Sequence, residues 1–200
     1  MRTPLLVKYL LHPLIWQIPV TEKKIFLTFD DGPIPVVTPW VLETLKQYNA
    51  KATFFCVGDN VRKHPEIYAE ILKQSHRTGN HTMNHMNGWT NFNKNYFQNI
   101  RECEEYVVSD LFRPPYGKIR PTQAARLKSN YNIIMWDILT HDYDMNETGE
   151  NCFRRVEKNA RPGSIVVFHD SLKAEKNLRY ALPASLDYLS RQGYTFESIA

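Results

Sequence analysis

The sequence has few cysteines, no long apolar run and no block of charges of one sign. Its three cysteines are odd in number, widely spaced and outside any Cys-x-x-Cys pair, which argues against a disulfide framework and against a cysteine zinc site. The 25 basic and 21 acidic side chains are interspersed and leave a net charge of only +4. This mild, scattered charge predicts no nucleic-acid partner.

The apolar segment near the N-terminus is too interrupted to cross a membrane. Lys8, His12 and Pro13 break it, whereas a membrane-spanning helix needs roughly 20 apolar residues. The segment also lacks the small-x-small cleavage site of a signal peptide. We therefore predict that residues 1–20 form an arm packed on a single domain, residues 21–200, without an integral membrane span. By default this favours the cytoplasm, with peripheral association with the cell envelope as the alternative.

Two kinds of apolar pattern alternate along the rest of the chain. Short continuous runs predict buried strands at residues 24–29, 52–57, 77–80, 111–113, 132–136, 164–168 and 194–198. Apolar residues at helical spacing predict helices near residues 38–48, 65–72, 96–107, 121–130, 153–156 and 178–189. Alternation of this kind predicts an α/β fold with a parallel sheet, either open or closed into a barrel.

Chemically capable side chains follow nearly every predicted strand. In chain order these are Asp30 and Asp31, His81 and His85, Arg113, Asp137 and Asp142, and finally His169 and Asp170. Random surface polarity would not be placed so regularly. Because active sites of parallel α/β folds lie at the carboxyl ends of the strands, we expect the chemistry at that edge.

His81 and His85 are four residues apart, which suggests a metal site. On a helical turn this spacing would put both rings on one face, at the separation that a divalent metal uses. With a carboxylate they make a two-histidine, one-carboxylate set, which suits zinc, or cobalt, nickel or iron in its place. Taken alone, the histidine pair is more typical of a solvated helix, and Asp30-Asp31-Gly32 of an ordinary turn.

Five segments resemble, in order and spacing, the motifs of the polysaccharide deacetylase (NodB-homology) family, the family-four carbohydrate esterases. They are residues 28–33, 81–85, 113–117, 136–143 and 165–170. The resemblance spans residues 24–199. It implies a distorted (β/α) barrel of about seven parallel strands, and metal-dependent removal of acetyl groups from N-acetylated sugars.

The resemblance also implies a role for each matched residue. Asp31, His81 and His85 would bind one divalent metal ion, with zinc as the first choice and cobalt, nickel or iron as alternatives. The remaining matched residues would carry the reaction: Asp30 as general base, Arg113 as its orienting partner, the backbone N–H of Tyr116 as an oxyanion donor, His169 as general acid, and Asp142 as the residue that tunes His169.

The chain departs from the family pattern at two positions. Leu139 stands where the family often has another aspartate, and Tyr143 where tryptophan is common. Aromatic residues that could stack on sugar rings are Trp89, Trp136, Tyr116 and Tyr143, although core packing is equally expected for Trp136. Histidines outside these roles are predicted to be solvated or exposed: His12, His64, His76 and His141.

The sequence thus predicts a metal-dependent hydrolase that removes N-acetyl groups from glycans containing N-acetylglucosamine. Peptidoglycan or chitin-like oligomers are the leading substrates; the oligomeric state stays open. A metal would polarise the amide carbonyl and activate a bound water, Asp30 would accept its proton, and His169 would protonate the leaving amine. Alternatives are an O-acetyl esterase or small-amide hydrolase on the same scaffold, or a silent glycan-binding domain. The intact set of ligands, base and acid argues against a silent domain.

Overall fold

A computed structural model describes residues 14–200, so the predictions for residues 1–13 lie outside the described part of the chain. The strands are β1 Lys24–Asp30, β2 Ala52–Cys56, β3 Arg77–Asn80, β4 Leu111–Phe112, β5 Asn132–Ile133, β6 Ile138–Leu139, β7 Ile165–His169 and β8 Thr195–Phe196. The helices are α1 Val37–Gln47, α2 Gly58–Lys63, α3 Pro65–Lys73, α4 Asn93–Glu104, α5 Pro121–Leu127, α6 Gly149–Asn159 and α7 Glu175–Arg191. A 3₁₀ turn covers Pro115–Gly117.

The strands form one curled sheet whose named strands all pair in parallel. Their order is β5-β4-β3-β2-β1-β7-β6, and β8 pairs with the start of β1. This arrangement confirms the prediction of a distorted barrel of about seven parallel strands. Asp30, the last residue of β1, lies opposite His169 of β7 and Phe55 of β2. An interior strand of the sheet, β1, therefore ends with Asp30 at the carboxyl-terminal edge.

Alternate residues of β1 face two different layers, as the period of a strand requires. Ile25, Leu27 and Phe29 belong to the large cluster that packs against the helices. Phe26 belongs to a separate cluster inside the curled sheet. Asp30 therefore shares the inward face of β1 with Phe26, which explains how a carboxylate comes to lie inside an otherwise apolar sheet.

The segment before β1 contacts the end strand β5 and the residues just before β7. The N–H of Ile15 donates to the carbonyl of Ile133 (2.9 Å), and the N–H of Ile18 donates to the carbonyl of Gly163 (2.9 Å). Trp16 between them is buried. The described part of the predicted arm thus packs on the sheet at two separate strands. Its treatment as a separate unit stays a prediction.

The structure corrects several predicted boundaries. Helix α1 begins at Val37 rather than after Thr38, and α2 was not predicted at all. The strand predicted for residues 132–136 ends at Ile133, and a separate β6 follows. One reason is that the carbonyls of the next two residues accept hydrogen bonds from the side chain of Arg113.

The cysteines are free and buried, in agreement with three separate thiols. Within residues 14–200, none of the helices combines the length and apolar character needed to cross a membrane.

Candidate active site

A cleft of about 530 Å³ opens at the carboxyl-terminal edge of the sheet. The predicted site residues that line it are Asp30, Asp31, His81, His85, Tyr116 and His169. The other two predicted residues, Arg113 and Asp142, are fully buried and bind Asp30 and His169 from behind. The structure therefore brings together all the residues that the five motifs single out, although the role of each stays a prediction.

Arg113 holds Asp30 in place from inside the barrel. Its Nη1 atom donates to Asp30 Oδ1 (2.6 Å) and lies 2.7 Å from Thr28 Oγ1. Its Nε and Nη2 atoms donate to the carbonyls of Ile134 (3.2 Å) and Met135 (2.9 Å). A guanidinium group presents its donors in a fixed planar fork, so bonds on several sides leave it little freedom to turn. The Asp30 carboxylate is consequently oriented by a rigid cation.

Asp31, His81 and His85 form a candidate metal site, with ligand atoms within 4.8 Å of one another. Asp31 Oδ1 lies 3.2 Å from His85 Nε2 and 3.8 Å from His81 Nε2. This oxygen is buried, yet it makes no hydrogen bond to the described residues. A buried carboxylate oxygen normally has a partner, so its position fits one that binds a cation.

The tautomer of His81 also fits metal binding. Its Nδ1 atom lies 2.8 Å from the carbonyl oxygen of Arg113, which can only accept, so Nδ1 carries the proton and Nε2 is left as a ligand. Burial, aided by the charge of His85, lowers the pKa of His81 to about 4 despite the nearby carboxylates. Burial opposes the ionisation of Asp31, but the histidines His85, His169 and His81 outweigh it and hold the pKa of Asp31 well below its usual range.

The helical turn predicted for His81 and His85 is wrong. The two rings lie 5.1 Å apart between centroids, but a loop brings them together, in which Thr82 and His85 have φ values of 64° and 59°. The N–H of Thr82 donates to Asn80 Oδ1 (2.8 Å), and Thr82 Oγ1 accepts from the N–H of Met86 (2.8 Å). These side-chain bonds to the backbone compete with a helix and shape the loop instead.

His169 is bound to Asp142 by two hydrogen bonds. Its Nδ1 lies 2.8 Å from Asp142 Oδ1, and its backbone N–H donates to Asp142 Oδ2 (2.8 Å). Asn177 in turn donates to the carbonyl of Asp142 (3.0 Å). Burial disfavours a charged His169, but Asp142, with smaller contributions from Asp31 and Asp30, raises the pKa of His169 to about 9. Because Nδ1 is bound to Asp142, Nε2 is the ring nitrogen that remains available to a substrate in the cleft.

Asp170 belongs to the site although no role was predicted for it. Its carboxylate accepts from the N–H of Gly32 (3.1 Å) and from Thr38 Oγ1 (2.6 Å), and its own N–H donates to the carbonyl of Asp30 (3.1 Å). These bonds flank Asp31, whose φ of 84° needs local support. Burial, reinforced by the charge of Asp31, raises the pKa of Asp170 to about 8. The sequence signal was its position directly after a strand end.

Aromatic side chains form the walls of the cleft. Tyr116 lies edge-on against His85 (4.5 Å between centroids), and Tyr143 lies edge-on against His169 (4.8 Å). Trp136 also lines the cleft while packing on the interior cluster, so both of its predicted environments apply. Trp89 is exposed but lies outside the lining.

The prediction of a solvated His76 is wrong. Its side chain is buried, its Nδ1 accepts from the N–H of Ala52 (3.2 Å), and burial lowers its pKa to about 4. A histidine that matches no motif gave no sign of this long-range contact. His64 and His141 are half-buried rather than fully exposed.

Comparison with known proteins decides the family. The pattern of the family described as polysaccharide deacetylase matches residues 17–132. The chain belongs to this family. The resemblance carried by the five motifs is thereby confirmed, and so is the enzyme class: polysaccharide deacetylases are hydrolases of carbon–nitrogen bonds.

Individual members of the polysaccharide deacetylase family resemble most of the chain. The chain is 36% identical over 192 residues to a peptidoglycan-N-acetylglucosamine deacetylase of Bacillus cereus, and the match covers 92% of this chain and 90% of that protein. The crystal structure of the Bc1960 peptidoglycan N-acetylglucosamine deacetylase, bound to a naphthalenyl N-oxidanyl-benzamide, matches with a TM-score of 0.90 at 30% identity and covers 98% of this chain and 95% of that one. A crystal structure of a mutant of BA3943, described as a CE4 family pseudoenzyme with restored enzymatic activity, matches at 27% identity with a TM-score of 0.79. The match covers 92% of this chain and 69% of that one.

Proposed function

We propose that this chain removes the N-acetyl group from N-acetylglucosamine residues of peptidoglycan, with chitin-like oligomers as a second substrate class. Family membership and the named activity of the Bacillus cereus relative support the reaction type. The observation that carries the proposal is the cleft, where Asp30, the Asp31–His81–His85 set and His169 face one space.

Asp31, His81 and His85 would hold one divalent ion. Two imidazoles and one carboxylate with open positions suit zinc first, and cobalt, nickel or iron in its place. Such an ion, when bound, polarises the acetamide carbonyl and makes water a stronger nucleophile at neutral pH. The protein atoms that support this assignment are the buried Asp31 Oδ1 and the Nε2 of His81.

The chain's own residues then move protons and stabilise charge. Asp30 accepts the proton that the attacking water gives up, while Arg113 keeps the carboxylate oriented. The backbone N–H of Tyr116, at the mouth of the cleft, donates to the carbonyl oxygen as it gains negative charge. His169 gives the proton on Nε2 to the amine that leaves. Asp142, bound to Nδ1, keeps the imidazole ring oriented for this transfer.

Removing the metal should abolish acetate release. The chain treated with a chelator should release no acetate from N-acetylglucosamine oligomers. About one equivalent of zinc should restore the rate, because residues 14–200 contain one such three-ligand set. His81→Ala should lose most of the bound metal. Acetate assays with N-acetyl and O-acetyl glycans and with small amides, combined with metal analysis, provide the test.

The controls separate the alternatives. A faster rate on O-acetyl groups or on small amides would replace the proposed substrate class. Glycan binding without release from any acetylated compound, at full metal loading, would point to a silent binding domain. Release that persists after chelation would contradict the metal site.

Turnover should depend on the protonation of His169. His169→Gln should lower kcat by ~10²-fold or more while the metal stays bound. The pKa of His169 is raised to about 9, so the acid is present at neutral pH and kcat should fall as the pH rises through about 9. Asp142→Asn removes the main cause of that increase and should move the alkaline limb to lower pH. Near wild-type rates in His169→Gln would assign the proton to another group.

A further inference from the structure

Two lysines line the cleft on opposite sides of β1. Lys118 follows β4 and the 3₁₀ turn, Lys173 follows β7, and β1 lies between those strands in the sheet. The amine of Lys118 lies 5.7 Å from the ring centre of Trp89, and that of Lys173 lies 5.7 Å from the ring centre of Tyr143. Within residues 14–200 neither amine forms an ion pair. The lysines therefore hold their charges at the cleft without a carboxylate partner in the described chain.

The acids of the cleft are already balanced by other groups. Asp30 is paired with Arg113, and Asp31 faces the two histidines of the candidate metal site. Among the described lining residues, Asp30 and Asp31 are the only acids. A divalent ion bound there would add positive charge. The rim is consequently positive and can attract an anionic group of a substrate.

The contacts of the lysines with aromatic rings leave them available for such an anion. A cation over an aromatic ring at an exposed site is held only weakly, so either amine can exchange the ring for a carboxylate. Lys173 is exposed and Lys118 half-buried, so either side chain can turn toward a bound anion with little rearrangement of the cleft. The ring beside Lys173, Tyr143, lies edge-on against His169, and Lys118 lines the same cleft two residues after Tyr116, which lies edge-on against His85. Both lysines therefore lie at the cleft that holds the predicted catalytic residues.

We infer that Lys118 and Lys173 form an anion-binding rim that makes the cleft prefer N-acetylated glycans bearing carboxylates over neutral ones. This inference rests on the proposed deacetylase function and adds a substrate selectivity to it. In an alternating glycan whose neighbouring sugar carries a lactyl carboxylate, that group lies beside the N-acetylglucosamine to be deacetylated. A chitin-like oligomer offers no such charge to the rim.

A matched pair of substrates tests the rim. One is a disaccharide of N-acetylglucosamine and N-acetylmuramic acid with a free carboxylate, and the other is the same disaccharide as its primary amide. With the zinc-loaded full chain at low salt, kcat/KM should be roughly three- to ten-fold higher for the carboxylate, as expected for exposed charge pairs, and the preference should shrink with salt. Lys118→Gln and Lys173→Gln should each lower this ratio, and the double variant should bring it to about one.

Two control variants separate the rim from general charge effects. Lys173→Arg keeps the cation and should keep the ratio. Lys46→Gln removes an exposed lysine in the last turn of α1, outside the cleft lining, and should also keep it. Equal rates on acid and amide, a ratio unchanged in the double lysine variant, or an equal loss in Lys46→Gln would each overturn the inference.

Equilibrium binding distinguishes failure of the rim from failure of the proposed function. If no acetate is released from either disaccharide, the proposed function fails. The inference is then decided by the Kd values of the two disaccharides for the zinc-loaded chain, compared as the ratio of amide to acid. A lysine-dependent preference for the acid supports the rim even in a chain without turnover. Equal Kd values overturn it.

Discussion

Replacing Asp30 with asparagine should lower kcat by ~10²–10⁴-fold while the chain keeps its metal. Asp30 Oδ1 accepts a hydrogen bond from Arg113 Nη1 (2.6 Å), and Asp30 lies outside the three-residue set that could hold the metal ion. Asparagine keeps an oxygen for Arg113 but cannot accept the proton from water. Metal content, circular dichroism and the rate of acetate release, measured on the same preparation, check the result.

Asp31→Asn is the matched control, since sequence alone presents the two aspartates as equivalent. Asp31 Oδ1 lies between the two histidines, so its loss should weaken metal binding, and excess metal should restore part of the rate. Added metal should not help Asp30→Asn. Rescue of Asp30→Asn by metal would reverse the two roles and contradict the mechanism at its first step.

Replacing Arg113 with methionine should lower the free energy of unfolding by ~3–5 kcal/mol, the usual cost of removing one partner of a buried ion pair. The substitution leaves Asp30 buried without a compensating cation. It also removes the donors to the carbonyls of Ile134 and Met135. These carbonyls accept from Arg113 in place of a neighbouring strand, so the substitution leaves them without these hydrogen bonds. Urea unfolding, monitored by circular dichroism, measures the change.

A double-mutant cycle separates the ion pair from the other contacts of Arg113. Arg113→Met combined with Asp30→Asn should cost less than the two single changes added together, because the uncompensated charge is gone. An additive result would mean that the backbone contacts of Arg113, and not its pairing with Asp30, carry its contribution. A loss below about 1 kcal/mol in Arg113→Met would contradict a buried ion pair.

Sequence alone was enough to predict the parallel α/β class, the family and a set of side chains that the structure brings together at or behind one cleft. Apolar periodicity is a local property, so β1, β2 and β7 could be recognised from their own residues. The carboxyl ends of parallel strands meet at one edge, so Asp30, His81 and His169 could be expected together before their distances were known. The motif spacing added their chemical roles as predictions.

Only the tertiary structure decided how the site is held. Arg113 and Asp30 are 83 positions apart, and Asp170 and Gly32 are 138 apart, so no local pattern records their hydrogen bonds. In the loop that joins His81 and His85, the N–H groups of Met83 and Asn84 lie within hydrogen-bond distance of Asn99 Oδ1, and these contacts add to the local side-chain bonds. Helical spacing reveals neither, which is why the helical turn was wrong. The sequence predicted the acids and histidines that line the cleft, because strand ends are encoded locally, but it did not point to Lys118 and Lys173. Packing between distant segments determined their orientation and their charge environment, because burial and pairing arise only when those segments meet.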